Sequence, residues 1–399
     1  MESRSLLKLV EADAESHISF LQSFIRAASP NPPGDTRLAT DVLISYLRSH
    51  SVSPEMITPQ AHMPNIVSSF TCTTPDWACD PWSGDLVDGR IHGRGAVDMK
   101  AGTAASVIAY SFLYRYRHLL SGSLALCAVS GEETGGKWGS KYLLELDGGW
   151  KGDCMINAEP GGLGTIRFAE KGTLRLGFEI RIEGAHGAYV RRSKSATRIA
   201  ARLIGELAKV EELVPDLDIG LGEYMKREDV RAAIDEAMGK GAAGIVLKPT
   251  LNIGTIHGGL KINMIPDRCV FEADIRLPVG LKAEQVMDVI YGILEGYSEA
   301  SVEIHEAASN PAAACSHDHP MVEILVRNAE LVIGKRPLAI PSVGATDCKF
   351  WRYKGVPVYV FGVSPETMAA RDESVSVDEF LAVIKAHVLA SWEYLGGKT

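Results

Sequence analysis

Apolar residues change their spacing along this chain, and the changes mark out its organisation. Up to Ala28, Leu6, Leu9, Val10, Leu21, Phe24 and Ile25 fall on one helical stripe, which the loop Ser29-Pro30-Asn31-Pro32-Pro33-Gly34 ends. A second helix is predicted from about Leu38 to His50, a short strand at Asn65 to Phe70, and a long helix from about Asp98 to Arg117. The apolar run Ser123 to Val129 reads as a strand, followed by a helix after Gly136 and a strand near Asp153 to Asn157. Strands alternating with helices predict an α/β layered domain with a mostly parallel sheet.

From Gly172 the period becomes two. Leu174, Leu176, Phe178, Ile180 and Ile182 alternate with Arg175, Gly177, Glu179, Arg181 and Glu183, as in a strand with one wet face. A helix near Ala196 to Val210 follows, then strands at Thr250 to Ile256 and Arg268 to Arg276, a helix near Ala283 to Leu294 and a strand at Ser301 to Glu306. This β-α-β-β-α-β order suits an open-faced sandwich inserted into the first domain. Lys226 to Lys240 reads as an extra charged helix within it, while Met321 to Ile333 (helix) and Val356 to Val363 (buried strand) return the chain to the first domain. The expected division is 1–173 and 307–399 for the α/β domain, with 174–306 inserted.

Length supports two cores, since 399 residues exceed what one hydrophobic core holds. With 46% hydrophobic and 23% charged residues the balance is that of a globular protein. A formal charge of −9 without a basic block argues against nucleic acid as a partner. No long apolar run suggests a membrane span or a signal sequence, and the seven cysteines form no C-x-x-C pair. A cytoplasmic location with reduced thiols is the expectation.

The densest chemistry lies in Asp85 to Lys100, where glycines surround Asp98 at the start of a helix. A lone aspartate there is ordinarily a cap. Glu132 and Glu133 follow the strand ending at Ser130, and Glu159 follows the next strand, both at the edge of a parallel sheet where ligands usually sit. Such a set can hold cations and keep one carboxylate for proton transfer.

The motifs G-R-G-x-x-D-M-K (Gly93 to Lys100), S-G-E-E-T-G-G (Ser130 to Gly136) and N-A-E-P (Asn157 to Pro160) together resemble those of the M20 metallohydrolases. That family includes aminoacylases, acetylornithine deacetylase, succinyl-diaminopimelate desuccinylase and glutamate carboxypeptidase types. The likeness continues through Gly184-Ala185-His186-Gly187, Asn263 to Asp267, Asp274-Ile275-Arg276 and Gly344-Ala345-Thr346-Asp347. It implies a catalytic α/β domain with a lid, or dimerisation, insert. By position, Asp98 would bridge two zinc ions, Glu133 would bind one and Glu159 the other, and Glu132 would be the general base. Manganese, cobalt or magnesium are alternatives to zinc. His186 would stabilise the oxyanion, reaching across a homodimer, while Asn263, Arg276 and Thr346 would bind substrate. The implied reaction is hydrolysis of an amide in an N-acyl amino acid or a small, dipeptide-like carboxylate.

Two departures stand against this pattern. Members of the family carry an H-x-D strand that supplies a metal ligand, but between Phe70 and Trp82 this chain reads Phe70-Thr71-Cys72-Thr73-Thr74-Pro75-Asp76-Trp77-Ala78-Cys79-Asp80-Pro81-Trp82. Ala369 stands where many members have a histidine ligand. A segment lost from the reading frame or by splicing, a remodelled enzyme site, and a non-catalytic relative that binds a small carboxylate or a protein partner all remain open readings at this level. Three carboxylates without imidazole favour hard cations.

Overall fold

The computed structural model describes residues 12–30, 34–67, 77, 80–146 and 148–397. It divides into two compact units, Met1–Asp76 and Trp77–Thr399. In the first, the helices Ala14–Arg26 and Arg37–Ser49 accompany a hairpin of β1 (Glu55–Gln60) and β2 (Met63–Val67), with Glu55 opposite Val67. No residue of the helix Ala14–Arg26 is buried, although its stripe is clearly amphipathic. Leu6, Leu9 and Val10, together with 68–70 of the predicted strand and most of 71–79, lie outside the described residues.

The second unit contains the remaining strands: β3 (Leu86–Val87), β4 (Arg90–His92), β5 (Met155–Asn157), β6 (Thr165–Glu170), β7 (Gly172–Arg181), β8 (Ala185–His186), β9 (Thr250–Gly258), β10 (Met264–Ile265), β11 (Arg268–Leu277), β12 (Ala300–Ile304), β13 (Ala313–Ala314), β14 (Leu338–Ser342), β15 (Val358–Val360) and β16 (Ser374–Ser376). A five-stranded sheet runs β13-β6-β15-β5, with β14 also on β6. Its longer pairings, β5/β15 and β6/β14, are parallel, while β13 pairs β6 antiparallel over two residues and β15 meets β6 antiparallel at Val360 opposite Arg167 alone, so the sheet is mostly parallel with short antiparallel additions. The helices Ala101–Arg115, Pro320–Ile333 and Val377–Tyr394 pack with this sheet around one core, in which Phe168, Tyr359 and Phe361 are fully buried.

Ser123 to Val129 corrects the sequence reading, because it forms no strand. A strand needs a neighbour for its backbone N–H and C=O groups. None among the described residues pairs with this run, and Leu124, Leu126 and Val129 keep more than a third of their surface exposed.

The predicted alternation, by contrast, builds a four-stranded antiparallel sheet, β12-β7-β11-β9. Register between β7 and β11 is unbroken from Gly172 opposite Leu277 to Arg181 opposite Arg268. Its inner face, with Leu174, Leu176, Phe178, Ile180, Phe271 and Ile275, is buried against the helices Ala196–Leu207 and Ala283–Leu294, and the Phe178 and Phe271 rings stack at 4.6 Å. One face covered by two helices is the open-faced sandwich that the element order implies.

Candidate functional site

Asp98 sits in a tight turn, Ala96–Lys100, at the head of the helix Ala101–Arg115, with its peptide bond to Met99 in the cis form. The turn needs glycine: Gly93 and Gly95 have φ of 150° and 76°, and the carbonyl of Pro81 would stand 3.1 Å from a side chain at Gly93. Glu373, almost fully buried, organises the loop from outside it. One carboxylate oxygen accepts from the N–H groups of Val97 (2.9 Å) and Asp98 (3.1 Å), the other from the N–H of Gly95 (3.1 Å) and the Arg94 guanidinium (3.0 Å).

Glu132 and Glu133 occupy a single short turn, Glu132–Thr134, between Gly131 and Gly135, both left-handed with φ of 77° and 87°. Glu159 follows β5, its N–H held by the Asn157 side chain at 2.6 Å. Close backbone contacts fix it there: a side chain at Gly102 would stand 2.2 Å from the Ala158 carbonyl, and one at Gly362 2.1 Å from the Glu159 carbonyl. These two glycines therefore let the Asp98 helix and the chain after β15 press against the Glu159 loop.

The acidic groups are close enough to disfavour one another's charge. Burial, then Glu133 and Glu373, push the Asp98 carboxyl up. Glu132 is pushed up to about 7 by burial and then by Asp347, Glu133 and Asp98, against a weaker opposing effect of Lys349. Glu159 is pushed up to about 8 by burial and then by Glu132, Asp98, Glu170 and Asp347.

His186, Asn263 and Arg276 stand elsewhere, on the antiparallel part of the unit. His186 on β8 lies opposite Met264 on β10, and the carbonyl of Asn263 accepts from the N–H of Gly187 at 2.7 Å. The exposed His186 ring takes the Ala188 N–H on Nδ1 at 3.2 Å, so its proton resides on Nε2. Arg276 donates to Asp274 at 3.0 Å. None of the three hydrogen-bonds to the acidic group. Thr346 does reach its neighbourhood, but its N–H (3.1 Å) and hydroxyl (2.9 Å) both donate to Glu170, its Oγ1 accepts from Cys348 N–H (3.2 Å) and its carbonyl from Lys349 Nζ (2.7 Å). Each polar group of Thr346 thus already has a partner within the chain.

Sequence reasoning missed Glu373, Glu170 and Asp347. Asp347 ends the motif Gly344-Ala345-Thr346-Asp347, and both its carboxylate oxygens are buried without a hydrogen-bond partner among the described residues. Nothing in the pattern of Met368 to Glu373 signalled that its last residue holds the Asp98 loop.

The donor chemistry fits a hard cation by charge, since burial first, and then neighbouring carboxylates, disfavour the ionised forms of Asp98, Glu132 and Glu159. By geometry the set is incomplete: among the described residues no three His, Cys, Asp or Glu side chains gather closely enough to hold a metal ion. The stretch in which the sequence lacks H-x-D lies mostly outside the described residues.

Residues 71–392 match Peptidase family M20/M25/M40. The chain belongs to this family. It is thus a hydrolytic enzyme of a metallopeptidase group, and the acidic residues above fall within the matched span. It is 25% identical over 324 residues, 78% of this chain and 77% of the relative, to a probable succinyl-diaminopimelate desuccinylase of Staphylococcus epidermidis. Similarity to the succinyl-diaminopimelate desuccinylase of Wolinella succinogenes is 26% over 314 residues, 77% of each chain. Among solved structures, an M20 family metallo-carboxypeptidase from Sulfolobus solfataricus shares the fold, with a TM-score of 0.64 and 17% identity over 94% of this chain and 98% of that one. No helix among the described residues of this M20 protein is long and apolar enough to cross a membrane.

Proposed function

We propose that this M20 protein hydrolyses the amide bond of an N-acyl amino acid or a small peptide-like carboxylate, using a water activated at the Asp98–Glu132–Glu133–Glu159 group with the help of bound cations. The observation that carries this reading is geometric: Glu132 and Glu133 leave one short turn between two left-handed glycines, so that one can face a cation while the other stays unligated. An unligated carboxylate there can take a proton from water and return it to a leaving nitrogen.

In this reading Asp98, Glu133 and Glu159 would hold the cations, two zinc ions by analogy with the family, once drawn closer than they stand here. Bound there, the cations would supply Lewis acidity toward the amide carbonyl and the attacking water. Glu132 remains unligated and moves the proton. The Nε2–H of His186 is free to donate to the developing oxyanion, because Nδ1 is occupied by the Ala188 N–H. Arg276 and Asn263 meet the substrate carboxylate, for which a guanidinium fork is suited.

The segment 174–306 acts as the lid, supported by a core of its own that runs from Leu174 to Ile304. A homodimer through this lid is supported by its edge strand β9 and by the exposed Ile256, Leu260, Ile262 and Met264 along and just beyond it. The free thiols among the described residues, Cys127, Cys154, Cys269, Cys315 and Cys348, suit a reducing, cytoplasmic setting.

The test is turnover of a panel of N-acyl amino acids and dipeptides, with and without chelator, alongside metal content. Expected are bound metal, chelator-sensitive turnover, and a loss of about 10² to 10⁴ in kcat for Glu132→Gln. Turnover that survives both chelator and Glu132→Gln would sink the reading, as would a protein with neither metal nor turnover.

A further inference from the structure

The end of β6 carries a pair of opposite charges sealed from water. Glu170 and Arg352 meet at 2.9 Å with side chains 3% and 1% exposed. Burying two ions is costly, and such a pair adds little net stability over an apolar replacement, so what it holds in place is the informative question. Arg352 is itself fixed by donating to the carbonyl of Val358 at 2.9 Å. Glu170 spends its remaining acceptor capacity on Thr346, taking both the N–H and the hydroxyl.

Thr346 is thereby locked through every polar group it has, and the residue locked with it is Asp347. Asp347 is 6% exposed, with both carboxylate oxygens buried. It rests on the turn that carries Glu132: a side chain at Gly136, where φ is 66°, would stand 2.6 Å and 2.8 Å from its two oxygens. The Gly136 N–H donates to the Gly131 carbonyl at 2.8 Å and closes that turn. A continuous path of contacts leads from the ion pair, through Thr346 and Asp347, to the turn Gly131–Gly136.

We propose that Glu170 and Arg352 are positioning residues, which hold the Glu132 turn in place through Thr346 and Asp347. The proposal rests on the reading of Glu132 as the proton-transferring carboxylate. With the pair intact, Asp347 bears on Gly136 and fixes the direction in which Glu132 leaves the turn. With it broken, the Glu170 carboxyl that takes both Thr346 donors is no longer fixed, Asp347 shifts, and Glu132 acts from a loosened position while the substrate-binding groups on the antiparallel sheet are untouched.

The experiment compares the full-length protein with Glu170→Gln, Thr346→Val and Arg352→Lys by steady-state kinetics on an N-acyl amino acid, amide hydrogen exchange, and thermal unfolding. The expected result is a fall in kcat of about tenfold or more with KM nearly unchanged, as displacement of a reacting group predicts. Exchange should quicken at Gly131–Gly136 while staying slow along β7 and β11. Lysine at 352 keeps the charge but loses the guanidinium fork and should not restore kcat. If Glu170→Gln does not fold, Thr346→Val, which removes the hydroxyl's bond to Glu170 and the one it accepts from the Cys348 N–H but leaves the ion pair in place, carries the test. Unchanged kcat and unchanged exchange in a folded variant would overturn the proposal, as would kcat losses that merely track the unfolded fraction. Absence of turnover in the unaltered protein would instead reject the reading of Glu132, and the exchange arm would still decide whether the pair holds the turn.

Discussion

The carboxylate of Glu373 accepts the backbone N–H of Asp98 at 3.1 Å, although the two residues are 275 positions apart in sequence. With the N–H groups of Gly95 and Val97 on the same carboxylate, it serves as an anionic plug in a glycine-rich loop. Strand β16, which Glu373 precedes, is held on β4 with Ser374 opposite His92, so the sheet delivers the carboxylate to the loop.

Replacing Glu373 by alanine strands three buried N–H groups and the Arg94 guanidinium. At about 1 to 3 kcal/mol for each unsatisfied buried group, partly recovered by entering water, a loss of about 3 kcal/mol is expected. Urea denaturation of the variant should show it as a lower midpoint with an unchanged slope. Glutamine keeps the shape but only one acceptor oxygen, and should fall between the two. A midpoint unmoved in Glu373→Ala would show that the loop holds without the plug.

How much of this was legible in the sequence follows from which forces leave a periodic trace. The alternation from Leu174 to Ile182 maps directly onto a strand with one dry face, because burial of every second residue is what period two encodes. Strand β6 was not recognised, since all six of its residues are buried and two of them, Arg167 and Glu170, are charged. Arg167 is satisfied by the carbonyls of Gly161 and, 174 residues on, Pro341, while the counter-charge of Glu170 is Arg352, 182 residues on, and no local pattern reports those distant partners. Ser123 to Val129 failed in the opposite sense: an apolar run has strand character, but a strand also needs a partner. Glycines flanking Asp98, Glu132 and Glu133 made the acidic residues conspicuous, whereas the residues that hold them, Glu373 and Asp347, come from loops distant in sequence.

Glu159 gives the metal-free protein a stability that depends on pH. Its folded carboxyl is pushed up to about 8, from an ordinary value of 4.5, first by burial. A raised folded value means that the unfolded chain releases the proton first. The stability this group contributes is fully present below pH 4.5 and is lost as pH rises toward 8. In chelator, the gap between the unaltered protein and Glu159→Gln should therefore shift in favour of the variant by on the order of 3 kcal/mol across that window, the coupling to Glu132 and Asp98 reducing the full value. Denaturant midpoints at half-unit pH steps would measure it. A gap that stays flat from pH 4.5 to 8 contradicts the burial and mutual repulsion of these acids.

His387 sets the acid limit of the same core from the other side. It lies on the helix Val377–Tyr394, 4% exposed, and its Nε2–H donates to the Phe361 carbonyl at 2.8 Å. Burial pushes the imidazole down from 6.5 to about 4, with the Phe361 bond opposing the shift. A depressed folded value means that the unfolded chain binds the proton first as pH falls. Stability is accordingly full above 6.5 and is lost between 6.5 and 4, by about 3 kcal/mol for a shift of this size. Glutamine at 387 cannot take up a proton, so the difference in unfolding free energy between the unaltered protein and His387→Gln should change only within that interval and level off on both sides. If the difference is the same at pH 4 as at pH 7, the ring is not buried neutral, and the packing of this helix beneath Phe361 would have to be redrawn.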